Sequence, residues 1–132
     1  MRQLRPLSRL LLAVLFVGGG VLHFTATPVY LKVMPPYLPH PRLLVYLSGA
    51  CEIAGGIGVL LPPPVCRWAG WGLIALLVAV FPANVHMAMH RDSIPGLDVQ
   101  PFLLWLRLPL QLVLIAWVAF ATGKAPDKPQ TR

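Results

Sequence analysis

The sequence predicts an all-α integral membrane protein folded as a four-helix bundle with both termini in the cytoplasm. Of its 132 residues, 57% are hydrophobic and only 11% are charged, which is too apolar for an ordinary soluble protein and enough chain for one domain. The apolar residues form four segments separated by proline-rich or charged breaks. The predicted transmembrane helices are 6–24, 43–61, 67–90 and 101–122, within a single domain 1–122.

The first apolar segment, 6–24, follows Arg2, Arg5 and Arg9. A secretory signal peptide begins in the same way, but it would need a small-residue cleavage site soon after its apolar core. No such site follows the three glycines at 18–20. We therefore expect the segment to remain as the first transmembrane helix.

The connection 25–41 is rich in proline and yet mostly apolar. Its five prolines prevent one continuous helix. Its tyrosines, valines and leucines are unusual for a free linker and favour a segment that lies in the membrane interface or folds over the mouth of the bundle. We expect this proline-rich first outer loop to act as a lid.

The second predicted helix, 43–61, carries Glu52 in an apolar, glycine-rich run and stops at three prolines. An ionised acid at bilayer depth is costly and usually faces a partner inside the bundle. The expected partner is Arg107 in the fourth helix. In the third helix, Pro82 removes one backbone hydrogen bond and should produce a kink.

Basic residues determine the predicted orientation. Seven fall on one side and three on the other, which places both termini in the cytoplasm; the seven are Arg2, Arg5, Arg9, Arg67, Lys124, Lys128 and Arg132, and the three are Lys32, Arg42 and Arg91. The net charge of +7 is scattered and has no interleaved aromatic platform, so we expect no nucleic-acid partner. The tail 123–132 is polar and predicted to be disordered.

The polar side chains of the four helices are expected to share one depth. With a rise of about 1.5 Å per residue, they fall in the middle or outer leaflet and would line one polar cavity under the lid. The candidates are His23, Glu52, Asn84, Arg107 and Gln111. Three interpretations stay open: a structural pair that fixes helix register, a site for a polar head group such as a quinone carbonyl, and a proton relay.

His86 and His90 are weak candidates for a metal site. They are one helical turn apart, and copper accepts imidazole and the thioether of neighbouring methionines. On a helix, however, Met87 and Met89 point elsewhere, and a helix end at an interface often carries these residues for ordinary reasons. We assign no metal.

Four motifs cover nearly the whole chain to about Phe120. They are GVLHF at 20–24, MPPYLPHP at 34–41, SGACEIAGGIGVLLPP from Ser48, and VFPANVHMAMH from Val80. Together they resemble the DoxX-like family of small four-helix bacterial membrane proteins. The resemblance implies a multi-pass protein of the bacterial inner membrane, with a link to quinol oxidase or redox systems in which some members take part.

The expected function is an accessory or interaction role in such a membrane system. The protein would contact the lipid bilayer and pair through its apolar surface with a larger membrane complex or with itself. It has no attached redox domain, haem-ligand pair or CxxC motif, so we do not expect a self-sufficient enzyme. The alternative is a quinone-binding redox protein that uses the outer-leaflet cavity.

Overall fold

The computed structural model describes residues 3–124, and this part of the chain is all-helical, with no β-strand. The helices are α1 (Leu4–Thr25), α2 (Thr27–Val33), α3 (Pro41–Gly58), α4 (Val65–Met89) and α5 (Pro101–Thr122), with a 3-10 turn at Arg91–Ser93. The all-helical class predicted from the sequence is confirmed. Residues 125–132 of the predicted disordered tail lie outside the described residues.

Helix α3 is displaced toward its N-terminus relative to the predicted segment 43–61. It begins at Pro41 because a proline in the first turn loses no intrahelical hydrogen bond. It ends at Gly58, after which the N–H groups of Leu60 and Leu61 donate to carbonyls three residues earlier. The chain has therefore left the α-helix before the prolines at 62–64.

The proline-rich connection contains the short helix α2. Pro28 lies in its first turn, where a proline is tolerated. The hydroxyl of Thr27 donates to the carbonyl of His23 over 2.8 Å and so ties the start of α2 to the end of α1. Met34 then becomes extended before Pro35, as a residue preceding proline prefers. The connection is interrupted as predicted, and one part of it is helical.

Glycines bring α1 and α3 into backbone contact. A Cβ atom on Gly20 would stand 2.6 Å from the carbonyl oxygen of Gly49, and a Cβ on Gly49 would stand 2.6 Å from the Cβ of His23. Side chains at these positions would force the helices apart. The close approach places the end of α1 beside the middle of α3, where Glu52 lies.

The four long helices meet in an apolar core near the chain termini, at what we call the termini end of the molecule. Buried side chains from α1, α4 and α5, together with Val59 directly after α3, form this core; they are Leu12, Ala13, Phe16, Val59, Leu73, Leu77, Val118 and Ala121. Arg5 and Arg9 of α1 donate to the carbonyls of Gly123, Lys124 and Ala121. These bonds occupy carbonyls that the end of α5 leaves without helical partners.

The opposite end carries α2 and the 3-10 turn, and we call it the lid end. Helices α1, α4 and α5 are long and apolar enough to cross a membrane by length and composition. Helix α3 does not reach that threshold among the described residues, because Arg42, Glu52 and several glycines lower its hydropathy. Many large apolar side chains are exposed on the long helices, as expected of surfaces that lipid covers.

Candidate functional site

His23 and Glu52 face each other across the contact between α1 and α3. The Nε2 atom of His23 is 3.8 Å from Oε1 of Glu52, and the two side chains are only 11% and 19% exposed. The second carboxylate oxygen, Oε2, lies 3.0 Å from the position that a Cβ on Gly19 would occupy. The absence of a side chain at Gly19 thus makes room for the carboxylate beside α1.

Tyr30 of α2 lies against the histidine of this pair. Its ring stacks on the imidazole of His23 with a centroid distance of 4.0 Å and an interplanar angle of 24°. The other ring nitrogen of His23, Nδ1, is hydrogen-bonded to the carbonyl of Gly19 over 2.9 Å. His23 therefore contacts its own helix through Nδ1 and α2 through the face of its ring.

A second polar cluster joins α4 to α5. The amide of Asn84 donates to Oε1 of Gln111 over 2.7 Å, and the amide of Gln111 donates to the carbonyl of Leu77. This carbonyl adjoins that of Val78, whose usual helical donor is missing because Pro82 has no N–H. Gln111 is buried and supplies a side-chain donor in the turn of α4 where Pro82 removes one backbone hydrogen bond.

The predicted pair of Glu52 with Arg107 is wrong. Among residues 3–124 no ion pair joins them, and Glu52 instead lies within ion-pair distance of His23. Arg107 is exposed on the surface of α5. The physical reason is that the glycine contact draws Glu52 toward α1, whereas Arg107 precedes Gln111 by one turn and stands at the edge of the face that packs on α4.

Of the five candidate residues, His23 lies beside Glu52, Asn84 is hydrogen-bonded to Gln111, and Arg107 is exposed. A surface cavity of about 310 Å³ lies at the lid end and is lined by Arg91, Asp92, Ile94, Gly96, Leu97 and Asp98. Another, of about 400 Å³, lies at the start of α3 and is lined by His40, Pro41, Arg42, Leu43 and Tyr46. Neither cavity includes any of the five.

His86 and His90, the weak metal candidates, stack on each other. Their ring centroids are 4.3 Å apart and their planes differ by 19°. Nitrogen lone pairs lie in the ring plane, so nearly parallel rings do not direct them at one ion. Within residues 3–124, no group of three or more histidine, cysteine or acidic side chains is placed to hold a metal. The rings of Tyr37 and His86 meet in a T-shaped arrangement, with centroids 5.9 Å apart and planes at 78°.

Sequence reasoning did not assign Tyr30, Gly19 or the Leu77 carbonyl to the site. Tyr30 lay in a segment expected only to cover the helices, and its stacking depends on the turn between α1 and α2. The role of the Leu77 carbonyl was predictable in part, because Pro82 in the sequence indicates where backbone hydrogen bonding in α4 is weakened. A buried amide on a neighbouring helix is a natural donor for such a carbonyl.

The pKa of the Tyr30 phenol depends on the charges around the site. Burial raises the pKa of its phenol above the ordinary 10.0, the Glu52 carboxylate raises this pKa further, and the Arg107 guanidinium lowers it. An acid whose folded pKa is raised favours the folded state while it is protonated. The stability gained from Tyr30 is therefore fully present below pH 10.0 and is lost as the pH rises through the raised value.

This arrangement predicts opposite effects of two substitutions on the titration of Tyr30. In a Tyr37→Phe, Tyr46→Phe background, Tyr30 is the remaining tyrosine, and its phenolate absorbance can be followed against pH. We expect Glu52→Gln to move the titration to lower pH and Arg107→Gln to move it to higher pH. Equal curves for both variants would show that Tyr30 does not lie near the two charges.

These features define an all-helical protein with three helices long and apolar enough to cross a membrane and with polar side chains gathered toward its lid end. The chain matches the domain of unknown function DUF8561 over residues 12–122 and belongs to that family. No curated protein and no solved structure matches the chain. The family match carries no description of an activity.

Proposed function

We propose that the chain is a four-helix integral membrane protein of the bacterial inner membrane, in which α3 is the fourth spanning helix. Helix α3 packs between α1 and α4, so protein rather than lipid surrounds much of its polar sequence. Trp68, Trp71 and Trp105 lie near the starts of α4 and α5 and are exposed, as tryptophans in an interfacial belt would be. The excess of basic residues in the sequence around the start of α1, at the start of α4 and after α5 supports cytoplasmic termini.

We further propose that its role is to bind a larger membrane protein as an accessory subunit, in line with the DoxX-like resemblance. The observation that carries this proposal is Arg107, an exposed cation on α5 with no ion-pair partner among the described residues. Leu103 and Leu110 flank it at helical spacing and are 48% and 53% exposed. A cation within an apolar stripe of a membrane helix requires a partner.

The partner that this stripe fits is a spanning helix that carries a carboxylate. A second copy of the chain offers only Glu52 within its long helices, and Glu52 is mostly buried beside His23. An acidic residue on another protein would neutralise Arg107 while apolar side chains pack on Leu103 and Leu110. We therefore assign the stripe of Leu103, Arg107 and Leu110 to hetero-association.

Site-specific photo-crosslinking in native membranes tests this assignment. A photoreactive side chain at Leu110 should give one discrete protein adduct. The matched control is Leu112, which is 59% exposed and points nearly the opposite way around α5, and which should contact lipid alone. Arg107→Gln should reduce the Leu110 adduct at least tenfold, since loss of one partner of a desolvated charge pair costs about 2 to 5 kcal/mol, whereas Arg107→Lys should retain part of it.

The captured protein must itself meet a condition. A spanning helix of the partner should carry an acidic residue, and exchanging charges between that residue and Arg107 should restore the adduct. An adduct with twice the mass of the chain would instead show self-association. Equal lipid labelling at Leu110 and Leu112 would show that Arg107 binds lipid phosphate, and either result would overturn the proposal.

The second candidate function is quinone binding, and the stack of Tyr30 on His23 beside Glu52 favours it. An aromatic ring and groups able to donate hydrogen bonds are what a quinone head group would contact. A soluble quinone at a concentration one hundred times its Kd should stabilise the folded protein by about 2.7 kcal/mol, and Tyr30→Ala should abolish that gain. Unchanged melting at saturating quinone, together with quinone-free lipid extracts, would reject this candidate.

A further inference from the structure

The hydrogen bond between His23 and Gly19 determines where one imidazole proton lies. The carbonyl oxygen of Gly19 can only accept, so Nδ1 of His23 must carry a hydrogen to form the 2.9 Å contact. In a neutral imidazole the other nitrogen, Nε2, is then a bare lone pair. That nitrogen is the one that faces Glu52.

A bare Nε2 opposite a carboxylate is an unfavourable arrangement. Both atoms are then electron-rich acceptors at 3.8 Å, in a place where the side chains are 11% and 19% exposed. One added proton removes the conflict. On Nε2 it gives an imidazolium beside a carboxylate, and on Glu52 it gives a neutral acid beside a neutral imidazole, so the net charge of the pair is zero in both cases.

The surroundings contain few other charges that could replace this proton. Tyr30 of α2 is the titratable group that stacks on His23, and Arg107 of α5 acts in turn on Tyr30. Where α3 meets α4, Gly55 lies against Leu73 and Gly58 against Ala69, and these contacts bring no charge. Gly19 and Gly20, on the α1 side, are likewise uncharged.

We propose that His23 and Glu52 together form a proton-binding site that holds one shared proton per chain and exchanges it with water at the lid end, past the ring of Tyr30. Release of the proton leaves a neutral imidazole and a carboxylate, with a net charge of −1. Uptake restores the neutral pair. This function is independent of the docking of Arg107 and does not require a quinone.

Nitrogen NMR of histidine-labelled protein in bilayers tests the site. We expect Nδ1 of His23 to stay protonated across the pH range in which Nε2 changes state. Glu52→Gln should shift the midpoint of the Nε2 change, because the carboxylate that shares the proton is then absent. The control Asp92→Asn removes an exposed carboxylate and should leave the midpoint unchanged. His23→Gln identifies the signal among the four histidines.

Two results would overturn the proposal. One is a midpoint for His23 that is equal in the wild type and in Glu52→Gln. The other, which needs only the wild-type protein and so holds even if the variant does not fold, is loss of the proton from Nδ1 instead of Nε2. The role of Tyr30 has its own test: Tyr30→Ala should accelerate proton exchange at His23, whereas Tyr30→Phe, which keeps the stacked ring, should not. Equal exchange rates would exclude Tyr30 as the barrier.

Discussion

Gly20→Ala is expected to destabilise the protein by about 1 to 3 kcal/mol, the usual cost of overpacking a close contact. The added Cβ would stand 2.6 Å from the carbonyl oxygen of Gly49 and 2.7 Å from Cγ1 of Ile53. A backbone oxygen cannot rotate away as a flexible side chain can, so α1 and α3 must separate. Separation would also pull His23 from Glu52. SDS-induced unfolding in mild detergent measures the loss.

Gly18→Ala is the matched control for Gly20→Ala. It lies in the same helix and has nothing within 4 Å of its added Cβ. Because alanine favours a helix over glycine by about 1 kcal/mol, this variant should be as stable as the wild type or more stable. If Gly18→Ala and Gly20→Ala have the same effect, the glycine contact between α1 and α3 is not as close as described.

Gln111→Leu should cost about 1 to 3 kcal/mol, because it leaves buried polar groups without partners. The amide of Asn84 loses its acceptor, and the carbonyl of Leu77 loses its donor. Leucine at this position is more apolar, so the substitution would be favourable if Gln111 faced lipid. The sign of the change in the free energy of unfolding therefore distinguishes a buried, hydrogen-bonded Gln111 from one that faces lipid.

The partner of Gln111 supplies the comparison. Asn84→Leu removes one of the two hydrogen bonds and leaves the bond to Leu77 in place, so it should cost less than Gln111→Leu. The double variant should cost less than the two single changes added together, since each single change strands a group that the double change removes. Strictly additive losses would show that Asn84 and Gln111 do not interact.

The sequence was sufficient to predict the helical class and helices long and apolar enough to cross a membrane, because both follow from long apolar runs bounded by prolines. It also identified Glu52 as an acid in need of a partner. The grouping of Asn84 and Gln111 toward the same depth follows from helix length alone. These features depend on local composition and on distance along one helix axis.

Local composition and depth along one helix axis do not predict which residue pairs with Glu52. Judged by depth along a helix axis, His23 and Arg107 are equally good partners for Glu52. The rotation of α3 against α1 decides between them. That rotation results from the contact between Gly20 and Gly49, two residues that are 29 positions apart in the chain. The stacking of Tyr30 depends similarly on the turn that starts α2. Both require the packed structure.

Among the described residues, Glu52 lies within ion-pair distance of His23 and not of Arg107. Two double-mutant cycles on the free energy of unfolding test this pairing directly, one combining Glu52→Gln with His23→Gln and the other combining Glu52→Gln with Arg107→Gln. We predict a coupling of about 0.5 to 3 kcal/mol in the first cycle and additivity within about 0.5 kcal/mol in the second. Coupling of Glu52 to Arg107, together with additivity between Glu52 and His23, would show that Glu52 pairs with Arg107 instead.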